Sequence, residues 1–233
     1  MLLGFLFTLV GLGVLTLGAD HFVKGAARLA IHHQVSPVVV GAVLLGFGTS
    51  APEMVVSGIA AGEGRLDIAV GNVIGSNVAN ISLVLAAGAT IAVIPVSSQT
   101  IRREIPISVA SVALFALLIQ GTIERWEGAV LAAAIGIFVY ATIKSSGSDD
   151  EFDGEITSVT GETLIHTRRE YLRATAGLVS VVASSWFIVE GAGQIAEALD
   201  LSSGFVGFTL VALGTSAPEL VTSVQAARQG ETG

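Results

Sequence analysis

Two glutamates, Glu53 and Glu219, close two copies of one hexapeptide, Gly-Thr-Ser-Ala-Pro-Glu, at residues 48–53 and 214–219. Each copy lies inside an apolar run long enough to cross a bilayer. A lone charge at membrane depth costs on the order of 3 kcal/mol or more, so each glutamate demands a compensating partner. No Lys or Arg stands at a matching depth in either run. The candidates are the other glutamate, a proton or a bound cation. Thr49, Ser50 and Glu53 stand at i, i+1 and i+4, so on a helix their oxygens share roughly one face. Thr215, Ser216 and Glu219 repeat that face. Together they would form a cage of hard oxygens. Ca2+ takes about six to eight oxygen ligands, and two carboxylates neutralise it without thiolate or imidazole.

A second polar patch, Gly71-Asn72-Val73-Ile74-Gly75-Ser76-Asn77-Val78-Ala79-Asn80, interrupts another apolar run. Ser76 and Asn80 are four apart and face the same way, which suits ion coordination and interhelical hydrogen bonding equally. Gly71 and Gly75 form a small-xxx-small pair, the pattern of a helix that packs tightly on a neighbour. The prolines matter as well. Pro52 and Pro218 lack a backbone N–H and crowd the preceding turn, so a helix interruption is expected near each, with carbonyls freed for cations. The bland reading of these positions is a hydroxyl back-bonded to the turn before it, beside a simple kink. Two copies that each end in Glu argue against it.

The elements that position these residues follow from the solvent. With 52% hydrophobic and 13% charged residues, and a mean hydropathy of +0.78, the chain belongs in a lipid bilayer. A spanning helix needs roughly 20 mostly apolar residues. That ruler places seven spans near 2 to 30, 37 to 61, 67 to 94, 104 to 120, 125 to 143, 170 to 198 and 203 to 227. The first is too long for a cleaved signal peptide. One polar connection, 145–169, carries Asp149, Asp150, Glu151, Asp153 and Glu155 without the spacing of a Ca2+-binding EF-hand, and reads as a solvated acidic loop. Cysteine is absent, which excludes disulfides and thiolate metal sites. Nothing resembles a basic nucleic-acid patch. His21, His32, His33 and His166 lack metal-ligand spacing beyond one adjacent pair and look peripheral. Asp20 with Lys24 reads as a pair at a helix end, and Glu190 as interfacial.

Sliding the sequence over itself finds the repeat at an offset of 166, since 214 − 48 = 166. Upstream of the hexapeptide, Val23, Gly25, Ala26, Ala30, Ser36, Val40, Gly41 and Leu44 recur as Val189, Gly191, Ala192, Ala196, Ser202, Val206, Gly207 and Leu210. Passing from the second span to the seventh crosses the membrane an odd number of times, so the copies run in opposite directions. Inverted repeats with ions held between interrupted helices are a common plan of secondary transporters. When connections alternate sides, Lys24, Arg28, Arg102, Arg103, Lys144, Arg168, Arg169, Arg173 and Arg228 share one face, with Arg65 and Arg125 opposite. By the positive-inside rule the N-terminus is outside and the 144–169 loop cytoplasmic. The expected organisation is a first repeat of five helices over 1–143, that loop, and a second repeat over 170–233.

The two hexapeptides, with Gly-Asn-Val-Ile-Gly-Ser-Asn-Val-Ala-Asn after the first, resemble the alpha-repeats of the cation/calcium antiporter superfamily, most closely its sodium/calcium exchanger branch. The resemblance covers all seven spans. It implies an all-α polytopic membrane protein, an inverted-repeat secondary transporter of ten helices in the cell membrane, exchanging Na+ for Ca2+ by alternating access. In the family, the long first and sixth helices slide across a more rigid core. Carried over, Glu53 and Glu219 are the carboxylates; Thr49, Ser50, Ser76, Thr215 and Ser216 are hydroxyl ligands; Asn80 is the amide; Gly46 and Ala212 offer backbone carbonyls to Na+. No cofactor is implied beyond the transported ions, and the partners are Ca2+, Na+ and lipid. One departure stands out. Arg65 displaced by 166 reaches position 231, so the counterpart of the third span and the three spans after it are absent from the sequence. The expectation is an incomplete copy of a longer protein, the alternative being a second chain that supplies those helices. The competing functions are a Ca2+/H+ antiporter, whose facing carboxylates would share protons, and a non-transporting membrane subunit. An intramembrane enzyme is disfavoured, because Ser50 and Ser216 have no membrane-depth His or Lys as base.

Overall fold

Backbone groups in lipid have no water to bond, so apolar runs must satisfy them internally, and helices do so. A computed structural model describes residues 1–35, 39–40, 46–96, 98, 100–121, 124–145 and 167–229. Each of the seven expected spans contains helix. The first is α1, Leu2–His32. The second is split into α2, Gly46–Thr49, and α3, Ala51–Gly62. The third runs through α4, Leu66–Ala79, a wide π turn at Asn80–Val84, and α5, Leu85–Ile91. α6 covers Ile105–Leu118 and α7 Arg125–Ser145. α8, Thr167–Ala198, begins three residues before the expected start of the second repeat. The last span combines α9, Ser203–Val206, a second π turn at Gly207–Val211, α10, Ala212–Thr215, and α11, Ala217–Gln229. Leu2–His32, Leu66–Ile91 and Thr167–Ala198 are long and apolar enough to cross a membrane. Ser203–Thr215 and Ala217–Arg228 form a fourth such span bent by 41°. The acidic cluster at 149–155, His166, and Ser36, Gly41 and Leu44 of the repeat lie outside the described residues.

The two long helices, α1 and α8, lie antiparallel along their length. Gly4 meets Gly191, Gly11 meets Ser184, Gly18 meets Gly177, and Gly25 meets Ala174. Four of the five α1 glycines, Gly4, Gly11, Gly18 and Gly25, recur every seven residues, and Gly11, Gly18 and Gly25 map by the 166 offset onto Gly177, Ser184 and Gly191. A Cβ at Gly177 would sit 2.6 Å from the Gly18 carbonyl oxygen, so the backbones touch and only small residues fit. Leu15, Val181 and Ile188 pack along this seam and join it to Val56, Ile68 and Val211 in one buried cluster.

The ends are tied by charge. At one end Arg28 donates to the buried Glu170 at 3.0 Å, and Arg173 stands 3.9 Å from the same carboxylate. His33 contacts the Tyr171 hydroxyl at 2.9 Å and His32 the Thr167 hydroxyl at 3.3 Å. The expected Asp20–Lys24 pair is present nearby at 2.6 Å. At the opposite end Arg65 reaches from the α3–α4 turn to Glu190 at 2.5 Å and to the Val189 carbonyl oxygen at 3.0 Å. Glu190 also accepts from Gln194 at 3.0 Å.

Candidate functional site

Both hexapeptides break their helices at the same place. Ser50 has φ −86° and ψ 4°, and its repeat mate Ser216 has φ −84° and ψ 3°. Pro52 lies in the first turn of α3, where a missing N–H costs nothing. Thr49, Ser50 and Glu53 therefore do not share a face of one continuous helix: Thr49 ends α2, Ser50 is the break, and Glu53 stands in the first turn of α3. The depth of the breaks can be read against α1. A Cβ at Gly48 would touch Val23, and one at Gly214 would touch Leu12. These contacts fall on opposite sides of the middle of α1, eleven residues apart (23 − 12), so both breaks lie inside the span and away from its ends.

Helix α4 brings the two copies together. A Cβ at Gly75 would lie 2.2 Å from the Phe208 carbonyl oxygen, and one at Gly71 2.4 Å from that of Gly204, so α4 seats its glycines on the backbone of the second repeat. This is the close packing that the small-xxx-small pattern predicts. It sets Glu53 within reach of the other copy, where the Ser216 hydroxyl donates to Glu53 Oε1 at 3.2 Å.

Glu53 is 9% exposed, Thr215 1%, Ser216 3% and Ser76 6%. Glu219 and Asn80 are half-buried, whereas Thr49 and Ser50 are exposed. The hydroxyls of the second copy are thus buried, and those of the first copy are exposed. Ser76 donates to the Val73 carbonyl oxygen at 3.2 Å, which leaves its lone pairs free. Gly46 opens α2. The Ala212 carbonyl oxygen already accepts from the Ser216 N–H at 3.0 Å and the Thr215 hydroxyl at 3.2 Å.

Four buried oxygens here have no hydrogen-bond partner: Glu53 Oε2, Glu219 Oε1 and Oε2, and Asn80 Oδ1. All are acceptors, three belong to carboxylates, and the two carboxylates act on each other as like charges. Buried acceptors without donors cost about 1–3 kcal/mol each, more when charged. An oxygen-seeking cation satisfies such a set. Among the described residues no group of three or more His, Cys, Asp or Glu gathers, here or elsewhere; the site brings together two carboxylates with neutral oxygens.

Asn72 was not singled out from the sequence, yet it is fully buried at the centre of this site. It stands four residues before Ser76 and eight before Asn80, so the same i, i+4 spacing that relates those two would have found it.

The profile of the family described as sodium/calcium exchanger protein matches residues 3–144 and 171–233. The putative antiporter CaxA of Alkalimonas amylolytica is 37% identical over 239 residues, covering 99% of this chain and 73% of that protein. Among solved structures, the sodium-calcium exchanger NCX_Mj soaked with Na+ and Sr2+ is 34% identical with a TM-score of 0.58, over 98% of this chain and 73% of that one. The H+/Ca2+ exchanger CAX superposes with a TM-score of 0.74 at 18% identity, over 99% of this chain and 61% of that one, which is a likeness of fold. With the matched profile, these relatives and the paired helix breaks in agreement, the chain belongs to the sodium/calcium exchanger family, whose members are multi-pass membrane transporters and not catalysts.

Proposed function

We propose that this chain carries the ion site of a Ca2+ antiporter driven by Na+, with Glu53 and Glu219 as the charged ligands. The observation that supports it most is the set of buried, partnerless carboxylate oxygens where the two inverted copies meet. Two carboxylates match a divalent ion in charge. Thr215 and Ser216 add buried hydroxyl oxygens, Thr49 and Ser50 exposed ones, and Ser76 and Asn80 oxygens from α4. Gly46 and Ala212 are the carbonyls proposed for Na+. Na+ as the driving ion is favoured by the 34% identity to a protein named as a sodium-calcium exchanger, against 18% for the one named as an H+/Ca2+ exchanger. Lys24, Arg28, Arg168, Arg169 and Arg173 stand at one end of the α1–α8 pair. That supports a cytoplasmic location for this end, and for the 144–169 loop, in a cell-membrane protein with its N-terminus outside.

The test is 45Ca2+ uptake into proteoliposomes under an outward Na+ gradient, run on this chain alone and together with any natural downstream sequence. The expected result is uptake that needs the Na+ gradient and is lost in Glu53→Gln and in Glu219→Gln. Uptake that follows a pH gradient and ignores Na+ replaces Na+ with H+ as the driver. No Ca2+ movement under either gradient sinks the antiport reading.

A further inference from the structure

The amide of Asn72 joins three segments of chain in the dry centre of the fold. Its Nδ2 donates to Ser57 Oγ at 2.9 Å and to the Glu53 carbonyl oxygen at 3.3 Å, both on α3. Its Oδ1 accepts from the Thr215 hydroxyl at 3.3 Å, on α10 of the opposite repeat. The side chain is 0% exposed, as befits a residue whose two amide ends are both in use. Ser57 in turn donates to the Ala69 carbonyl oxygen at 3.4 Å, which fixes the hydroxyl so that its lone pair meets Asn72.

The direction of these bonds matters. The NH2 end must face α3, because both acceptors are there, and this turns the carbonyl end toward Thr215. Thr215 has one proton and three acceptors in reach of it, Asn72 Oδ1 at 3.3 Å, the Ala212 carbonyl oxygen at 3.2 Å and the Glu53 carboxylate. When the proton goes to Asn72, the Ala212 carbonyl keeps a free lone pair, and the lone pairs of Thr215 Oγ1 are left for another electrophile. Without Asn72 the proton goes to Ala212 or to the Glu53 carboxylate, and either way one oxygen of the ion site is spent on holding a neighbouring hydroxyl.

We infer that Asn72 is a positioning residue of the ion site: it never touches the ion, but it draws the Thr215 proton away so that Thr215 and Ala212 both present acceptors to it. The inference rests on the proposed ion site and deepens it. It differs from a packing role in a measurable way, since the influence of Asn72 must pass through the Thr215 hydroxyl, whereas packing acts whether or not that hydroxyl exists.

The experiment is equilibrium binding of 45Ca2+ to the purified protein in lipid nanodiscs, for the parent, Asn72→Leu, Thr215→Val, Thr215→Ser and the two double variants with Asn72→Leu. Asn72→Leu is expected to weaken binding about tenfold in the parent, the equivalent of one net hydrogen bond. In the Thr215→Val background it should cost less than about twofold, and in Thr215→Ser, which keeps the hydroxyl, about tenfold again. An equal cost in all three backgrounds, or no cost in the parent, overturns the inference and leaves the ion site standing. A parent that binds no 45Ca2+ overturns the site itself and the role of Asn72 with it. If the leucine is refused by the core, Asn72→Ala repeats the arm with the same expected ratios, because the prediction is a ratio between backgrounds and not an absolute affinity.

Discussion

Replacing Glu219 by Gln should make the ion-free protein more stable and the Ca2+-loaded protein less so, and the crossing of the two effects is the signature of an ion site. Of the three carboxylate oxygens of this site without a partner, two belong to Glu219, and the neighbouring charge is the like charge of Glu53. Without an ion, the amide keeps the shape and removes a buried charge with no donor to satisfy it, a gain of about 1–3 kcal/mol. At about 2–4 °C per kcal/mol for a domain of this length, the melting point in chelator should rise by several degrees. With Ca2+ the sign reverses. Removing one partner of a buried charge pair costs about 3–5 kcal/mol, so Kd should rise by about two to nearly four decades. At a concentration about 100-fold above the parent Kd, the parent gains about 2.7 kcal/mol from binding, while a variant weakened 100-fold gains about 0.4 kcal/mol. A Ca2+-induced rise of about 5–10 °C in the parent should therefore shrink below about 2 °C in Glu219→Gln. The assay is intrinsic tryptophan fluorescence during heating, in chelator and across a Ca2+ titration, with Mg2+ as the control cation. A variant that melts below the parent in chelator would show that Glu219 is satisfied by the fold, and an undiminished Ca2+ shift would show that the ion binds elsewhere. Either result refutes the argument.

The seating of α4 on the second repeat gives a steric prediction with its own control. Gly75→Val should abolish Na+-driven 45Ca2+ uptake, because its Cβ would fall 2.2 Å from the Phe208 backbone oxygen and α4 would have to move away from Thr215. Gly58→Val, whose Cβ meets nothing within 4 Å, should transport like the parent. The Arg65–Glu190 pair predicts coupling: Arg65→Ala and Glu190→Ala should each lower the denaturation midpoint by the equivalent of about 1 kcal/mol or less, since both side chains are about 30% exposed. The double variant should fall little further than either single one. Additive losses would mean that the two residues do not act as a pair.

How much of this was legible beforehand depends on whether the signal was local. The repeat was legible because an unbroken offset relates Ser50 to Ser216 and Gly11, Gly18 and Gly25 to Gly177, Ser184 and Gly191. One physical cause, a proline in the first turn of a new helix, acts in both hexapeptides. The packing of Gly71 and Gly75 was legible for the same reason, since a small residue every fourth position means a close neighbour whatever that neighbour is. What the sequence could not show is which atoms meet across the repeats. The hydrogen bond from Ser216 to Glu53 spans 163 positions and exists only because α4 fixes the relative height of two broken helices. Asn72 looked like one more polar residue in a patch until Ser57, the Glu53 carbonyl and Thr215 were found around it. The difference between the exposed Thr49–Ser50 and the buried Thr215–Ser216 has the same origin, because identical hexapeptides cannot announce unequal surroundings.

The placement of the protein's own cations carries the last step of the argument. Arg28 is engaged by Glu170 at one end of the long helix pair, and Arg65 by Glu190 at the other. Both arginines lie at helix ends, where their hydration costs little to keep. The two glutamates at the helix breaks hold no ion pair with any described Lys or Arg, although a buried carboxylate is where a countercharge is worth most. A fold that only needed stability would pair Glu53 and Glu219 internally, or replace them with apolar residues at no loss. Keeping both, at matched positions of an inverted repeat, with acceptor oxygens around them and no donor for three of the four carboxylate oxygens, makes sense when the countercharge arrives from solution and leaves again. A permanent salt bridge would satisfy the carboxylates and close the site to exchange, so the absence of one here is what a site for a mobile ion requires.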